Sequence, residues 1–490
     1  MSITIGQNQY LFALTSLIGS NDVICSKSLP FKGYTVFLGD KCECASVNEG
    51  EHLALLLGYV VDAEKKSSDA EDLLCDFIRS IKPDSSNIAD CVKYWGGRWI
   101  LIYTVGEKVS VVTDTCGLKQ AFYYTFNNET LTVASQARYI AALYSLSEDK
   151  DARQYINNAM QADKEYSWPA DATLYERVKR LLPNHIVSDN GSYPIRYTPA
   201  GYKTLKQVAR MTELLKNQIN GLQSCYKSAI TLTAGWDSRI VFAAADRKNP
   251  NSVAVTLKYN GVSENSLDIA VPVNIAQKEG IEHRIVVCLP TSETFEKRYK
   301  AHGENAHTYW SQMAQAVEAN GFKDYYWVKG SCNEVLRCSS GVLYNWQVNA
   351  SDLCKLFQIP YDDFSKRVLT EWIEKARPYC NSNGIRLLDL FYWEHRCGSW
   401  LAECLNENDL VGETFTPFNC RAYLELGLTV KEYQRTSPAY RLFDEIIKMC
   451  GLNTDIPVNS GRYSSFKSKF KCLLKNRLHL LYGLVLHFTK

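Results

Sequence analysis

The chain has 490 residues, 46% hydrophobic and 22% charged, with a formal net charge of +2. That length exceeds one ordinary hydrophobic core and predicts two or three domains in a soluble globular protein. The near-neutral charge, with no basic motif interleaved with aromatics, argues against a nucleic-acid partner.

Met1-Ser2-Ile3-Thr4-Ile5-Gly6-Gln7 has no basic region before an apolar one, so no signal peptide is predicted. Up to about residue 150 the pattern is one of strands punctuated by Gly, Asn and Asp. The clearest strands are Leu53 to Val61, Trp99 to Tyr103 and Val109 to Asp114, with helices at Asp69 to Ile81 and Ala134 to Leu143. Asn127-Asn128 between two alternating runs predicts a hairpin. Together these predict packed antiparallel sheets with a few helices. The connection Tyr197-Thr198-Pro199-Ala200-Gly201 predicts the boundary between a first domain, 1–199, and a second, 200–490.

The second domain opens on a strand at Ala229 to Leu232, a turn at Thr233-Ala234-Gly235 and a helix behind Asp237-Ser238. Such a turn presents backbone N–H groups and a helix N-terminus to a phosphate or pyrophosphate. Thr233 and Ser238 add hydroxyl donors, Gly235 permits the close turn, and Asp237 offers a carboxylate for Mg²⁺. The same pattern also serves as a plain connection in any α/β protein. Strands at Ser252 to Leu257, His283 to Val287 and Tyr325 to Val328, with a helix from Leu267 to Gly280, predict a doubly wound parallel sheet with ligands at its C-terminal edge. A further helix is predicted over Asp389 to Trp400, where Arg396 is the candidate phosphate contact.

Seventeen cysteines are scattered singly, with Cys42-Glu43-Cys44 the one close pair and no CxxC, so a thiol-rich cytoplasmic protein is expected. No run of about 18 apolar residues predicts a membrane span. Residues 464–490 mix Lys with Phe and Leu; such a helix can lie on an anionic membrane surface, although docking on its own domain is the commoner arrangement.

The Thr233 to Ser238 turn resembles the SGGLDS pyrophosphate loop of the asparagine synthetases, and the likeness continues along the chain. Thr113 to Tyr124 resembles "R-D-x-x-G-x-x-P-L-Y-Y", Leu131 to Gln136 resembles "L-x-F-A-S-E", and Thr173 to His185 resembles "T-L-F-x-G-I-x-x-L-x-P-G-H". The resemblance implies a first domain of the class II glutamine amidotransferase type, with an N-terminal-nucleophile fold. That domain is degenerate: Met1-Ser2 stands where the family has its nucleophilic Cys, Gly96 stands where it has an Asp, and the glutamine-holding motifs are missing. No glutamine hydrolysis is expected.

In the second domain the resemblance implies adenine contacts from the backbone of Thr231 and Val255. It also equates Lys329 to Arg337 with "S-G-x-G-A-D-E-L-F", so that Gly330 borders the nucleotide, Asn333 takes the place of a metal-binding Asp, and Glu334 becomes the general base. Arg462, or Lys467, occupies the region of the family's transition-state lysine. The implied function is an ATP-dependent ligase that joins a small-molecule carboxylate to an amine through an acyl-adenylate, using ATP and Mg²⁺, with Asp237 and Asn333 on the metal. The competing expectation is a non-catalytic protein that keeps the fold and nucleotide binding.

Overall fold

The computed structural model describes residues 2–19, 22–127, 130–161, 166–196, 207–259, 261–303, 310–337, 343–436, 440–452 and 458. The expected boundary at 199/200, Arg462, Lys467 and the stretch 464–490 lie outside the described residues.

The first half is a sandwich of two six-stranded sheets. In one sheet the order is Lys179–Arg180, Phe122–Phe126, Thr130–Ala134, Tyr10–Leu14, Tyr34–Leu38 and Lys27–Phe31; in the other it is Gly191–Pro194, His185–Ser188, Lys108–Thr113, Trp95–Val105, His52–Asp62 and Cys44–Glu49. Neighbouring strands are antiparallel throughout. Phe12, Val36, Leu55, Leu57, Ile100, Ile102, Val111 and Val133 pack between the sheets. Their sequence neighbours Ala54, Leu56, Trp99 and Leu101 point the other way, onto helix Ala70–Ser80. Both faces of these strands are therefore buried, which explains why His52–Asp62 reads as an almost unbroken apolar run. On the outer face of the first sheet, helix Ala137–Tyr144 covers Leu11, Phe122 and Ala134. The expected sandwich of antiparallel sheets with helices is observed, and the hairpin turns at Asn127, whose φ is 51°.

The second half carries a five-stranded, all-parallel sheet in the order His283–Cys288, Ser252–Tyr259, Ser228–Thr231, Tyr326–Val328, Thr414–Phe415. In chain order this is 3-2-1-4-5, so the winding reverses at the Ser228–Thr231 strand. Such a switch point opens a crevice at the C-terminal ends of the two strands that flank it. The side chain of Thr231 spans this crevice's floor, donating from Oγ1 to Val328 O at 2.9 Å. The doubly wound sheet and its helical C-terminal part agree with expectation, and the two-residue strand Thr414–Phe415 adds an edge not among the strands expected from the sequence.

The predicted helix at 389–400 is not regular. An α-helix, Leu387–Phe391, passes into a π-helix over Tyr392–Leu401 and returns to α at Ala402–Asn408. The Trp393 indole nitrogen within it donates to Thr115 O at 2.8 Å, joining the two halves. One continuous core holds Tyr59, Val61, Cys116 and Leu118 of the first half with Met211, Leu215, Ile240 and Phe415 of the second. Among the described residues, no helix is long and apolar enough to cross a membrane.

Candidate functional site

The crevice at the switch point is built by two segments. The first is the turn that follows Thr231 and enters helix Trp236–Ala244, whose N-cap Gly235 has no side chain with which to close the helix end. Thr233 Oγ1 and Ser238 Oγ lie 2.9 Å apart, and the Thr233 N–H donates to the Ser238 hydroxyl at 3.1 Å. The Gly235 N–H donates to Thr233 Oγ1 at 3.2 Å, and the Ala234 N–H to Asp268 Oδ1 at 3.1 Å. The hydroxyls expected to hold phosphate therefore shape the turn, and the Asp237 carboxylate already sits in the first turn of the helix, accepting from its own N–H.

The second segment follows Val328. Gly330 packs directly on the helix N-terminus: a Cβ there would stand 2.7 Å from Asp237 Cβ and 2.8 Å from Ser238 N. Its glycine thus follows from close approach to the neighbouring turn. Cys332 next adopts φ 74°, unusual for a residue with a side chain, and a 3₁₀ turn runs over Asn333–Leu336. The Arg435 guanidinium holds that turn from below, Nη1 donating to Leu336 O at 2.8 Å.

These segments bring Asp237, Asn333 and Glu334 together, as the sequence predicts, but around a residue it did not single out. Arg337 Nη2 lies 3.0 Å from Asp237 Oδ2 and 3.1 Å from Glu334 Oε1, bridging both carboxylates. Burial raises Asp237, against the pull of Arg337 and the Asn333 amide. Burial, reinforced by the Asp237 charge, pushes Glu334 up to about 7 although Arg337 opposes it. A carboxyl that titrates near neutrality, 26% exposed at the mouth of a crevice, has the properties of a general base.

The Mg²⁺ site expected at Asp237 and Asn333 does not fit these side chains. Asn333 Nδ2 donates to Asp237 Oδ1 at 2.8 Å, and its Oδ1 accepts from the Tyr423 hydroxyl at 3.0 Å. The acceptor-only carboxylate fixes that amide with its nitrogen toward the crevice, and a nitrogen bearing protons ligates no cation. A single carboxylate, already paired with a guanidinium, remains.

The expected adenine contact at Val255 is also corrected. Val255 lies inside its strand with Thr231 and Arg284 as partners on either side, and its carbonyl accepts from the Leu232 N–H at 2.9 Å, so its backbone is committed to the sheet. Arg396 stacks on Trp400, 3.5 Å from the ring centre, and lines a cavity of about 630 Å³ with Tyr166, Cys354 and Pro360 instead of joining the phosphate turn.

Two further groups were not singled out from sequence. Lys329, at the end of the Tyr326–Val328 strand, has its ammonium 5.4 Å from the Trp310 ring centre, and burial pulls it down to about 8. Beside Glu334 three buried thiols converge, those of Cys116, Cys332 and Cys397, all within 4.8 Å of one another. Burial opposes ionisation of Cys397, but hydrogen bonds from the other two thiols and then the Arg396 charge outweigh it and push Cys397 down to about 5. In the first half, exposed Ser2 lines a surface pocket with Arg138, Tyr139 and Tyr175. Gly96 has no room for a side chain: a Cβ would stand 1.9 Å from Gln218 Oε1, and Gln218 is held by its donations to Val61 O and Tyr94 O.

No protein-family model matches the chain, and no curated protein matches it. Among solved structures, the glutamine phosphoribosylpyrophosphate amidotransferase from B. subtilis, complexed with ADP and GMP, is 12% identical over 60% of this chain and 64% of its own, with a TM-score of 0.23. The NMN synthetase from Francisella tularensis is 11% identical over 38% of this chain and 92% of its own, with a TM-score of 0.21. The NH3-dependent NAD synthetase from Campylobacter jejuni is 15% identical over 38% and 88%, also with a TM-score of 0.21. The chain thus spans less than two thirds of the amidotransferase. Likenesses this distant carry no argument about activity, which rests on the site itself.

Proposed function

We propose that the protein is an asparagine synthetase-like, ATP-dependent ligase that forms an amide through an acyl-adenylate, with ammonia or another amine as acceptor. The observation that carries this reading is the convergence, at the sheet's switch point, of an uncapped helix N-terminus with a carboxyl titrating near 7. A substrate carboxylate oxygen attacks the α-phosphorus of ATP, the bond to the β-phosphate breaks, and pyrophosphate leaves against the first turn of helix Trp236–Ala244. The amine nitrogen then attacks the acyl carbon, AMP departs, and Glu334 takes the proton that the nitrogen must lose. Arg337, shared between Asp237 and Glu334, offsets one of their two charges beside the phosphates, where the side chains do not fit a metal ion.

Exchange of labelled pyrophosphate into ATP, in the presence of candidate acids, tests the first step. Glu334→Gln should preserve exchange and slow amide formation by about 10²- to 10⁴-fold, the usual worth of a positioned base. Equal loss of both would mean that Glu334 organises the nucleotide instead. Asp237 bound to Arg337 and to the Asn333 amide favours the second reading, a nucleotide-binding protein without chemistry. ATP binding without exchange for any acid would establish that alternative.

A further inference from the structure

We propose that Cys116, Cys332 and Cys397 form a binding site for a zinc ion. The three come from separate segments: the turn after strand Lys108–Thr113, the residue opening the Asn333–Leu336 turn, and the π-helix. Their sulfurs already lie within 4.8 Å of one another, and all three residues are at most 1% exposed. Zinc binds thiolate sulfur at about 2.3 Å, which sets sulfurs about 3.8 Å apart in a tetrahedral site. Small side-chain rotations would close the cluster on an ion, leaving a fourth position for a small donor.

The supports of the cluster are those of a built site. The Cys116 N–H donates to Asn419 Oδ1 at 2.8 Å, and the Trp393 indole, four residues before Cys397, bonds Thr115 O at 2.8 Å. Gly398 meets Pro183 so closely that a Cβ would lie 2.3 Å from its Cδ, holding the π-helix against the first half. The Thr416 hydroxyl donates to Ser331 O at 2.6 Å, next to Cys332, whose left-handed backbone aims its side chain into the cluster. Three sulfur ligands select a thiophilic ion and reject Mg²⁺ or Ca²⁺. Zn²⁺ with three thiolates carries one net negative charge, and the positive charge of Arg396 acts on Cys397. Uptake forms three metal–sulfur bonds and releases to solvent the protons of those thiols still protonated. No electron is transferred. Because Cys332 precedes Asn333 and Glu334, the ion would also pin the loop that carries the candidate base to the first half of the chain.

The full chain, stripped with a chelator, is titrated with Zn²⁺ and separately with Co²⁺, whose thiolate charge-transfer band reports sulfur ligation. One equivalent per chain is expected, abolished by Cys397→Ser and by Cys116→Ser but retained in Cys225→Ser, which alters an exposed thiol. Zinc-edge X-ray absorption on the unsubstituted protein, which needs no variant to fold, should show three sulfurs at about 2.3 Å. No uptake, uptake that survives Cys397→Ser, a shell of nitrogen and oxygen only, or a disulfide among the three would overturn the proposal.

Discussion

Two carboxylates and one guanidinium give the crevice a formal charge of −1, and Arg337 is the member on which the other two depend. Asp237 and Glu334 are 14% and 26% exposed, so water screens their repulsion poorly. Arg337→Met should therefore cost about 3 kcal/mol, the low end of breaking a buried pair. Removing the cation raises both carboxyls further, so the loss should be greater at pH 8, where they must ionise, than at pH 6, where Glu334 largely keeps its proton. Denaturant unfolding at the two pH values checks this; equal losses would remove the repulsion argument. The gathering of Asp237, Asn333 and Glu334 was legible because each stands at a strand's C-terminal end, where the α/β rules place ligands. Arg337 was not, because its partner Asp237 lies far back in the chain and only the folded crevice pairs them. The cysteine cluster was hidden for the same reason: each thiol, read alone, is an ordinary core residue.

At the scale of elements, the π-helix hangs on a buried ion pair. Glu394, 0% exposed, receives Arg196 at 2.7 and 2.8 Å and the Trp372 indole at 3.0 Å. Glu394→Ala leaves that guanidinium buried without its counter-charge and should destabilise the protein by about 3–5 kcal/mol, measured by denaturant unfolding. A loss under 1 kcal/mol would mean that Arg196 finds water. Gly330→Ala tests the contact between the two crevice segments. Its Cβ meets backbone and Cβ of Asp237, which cannot rotate away, so overpacking should cost about 1–3 kcal/mol and weaken ATP binding in the same variant. Unchanged stability and affinity would show the segments free to separate. Helix Leu267–Glu279 was legible nearly to the residue because it ends at Gly280 with φ 63°, whereas the two longest helices, Val208–Cys225 and Asp363–Asn383, were not read from the sequence. Periodicity missed the π turns, because one inserted residue barely alters an apolar stripe. It missed Thr414–Phe415 because two residues carry no alternation.

Across the whole molecule the halves are joined by charge as well as by core. Arg98 Nη2 and Nη1 reach Asp409 at 2.9 and 2.5 Å, and Nη1 reaches Glu413 at 3.0 Å. Burial, then the Asp409 charge, pushes Glu413 up to about 7 against the pull of Arg98. The folded protein thus keeps a proton that the unfolded chain releases near 4.5, so stability should fall as pH rises from about 4.5 to 7 and then level off. In Glu413→Gln part of that fall should vanish, as thermal unfolding across the range would reveal. A slope identical to that of the unsubstituted protein would assign the proton elsewhere. The two architectures were legible because strand-rich and alternating strand–helix patterns differ along the whole chain. The seam was not, since Arg98, Asp409 and Glu413 look like any surface charges until the halves meet.

Gln218 and Gly96 occupy one space between them, and this ties the two positions together. An Asp at position 96 needs the room that Gln218 fills. Neither single change is neutral: Gly96→Asp collides with a pinned amide, while shortening Gln218 strands the carbonyls of Val61 and Tyr94 and opens a void. Either substitution alone should therefore destabilise the fold, and only a matched change at both positions keeps the joint packed, so 96 and 218 act as one site split across the two halves.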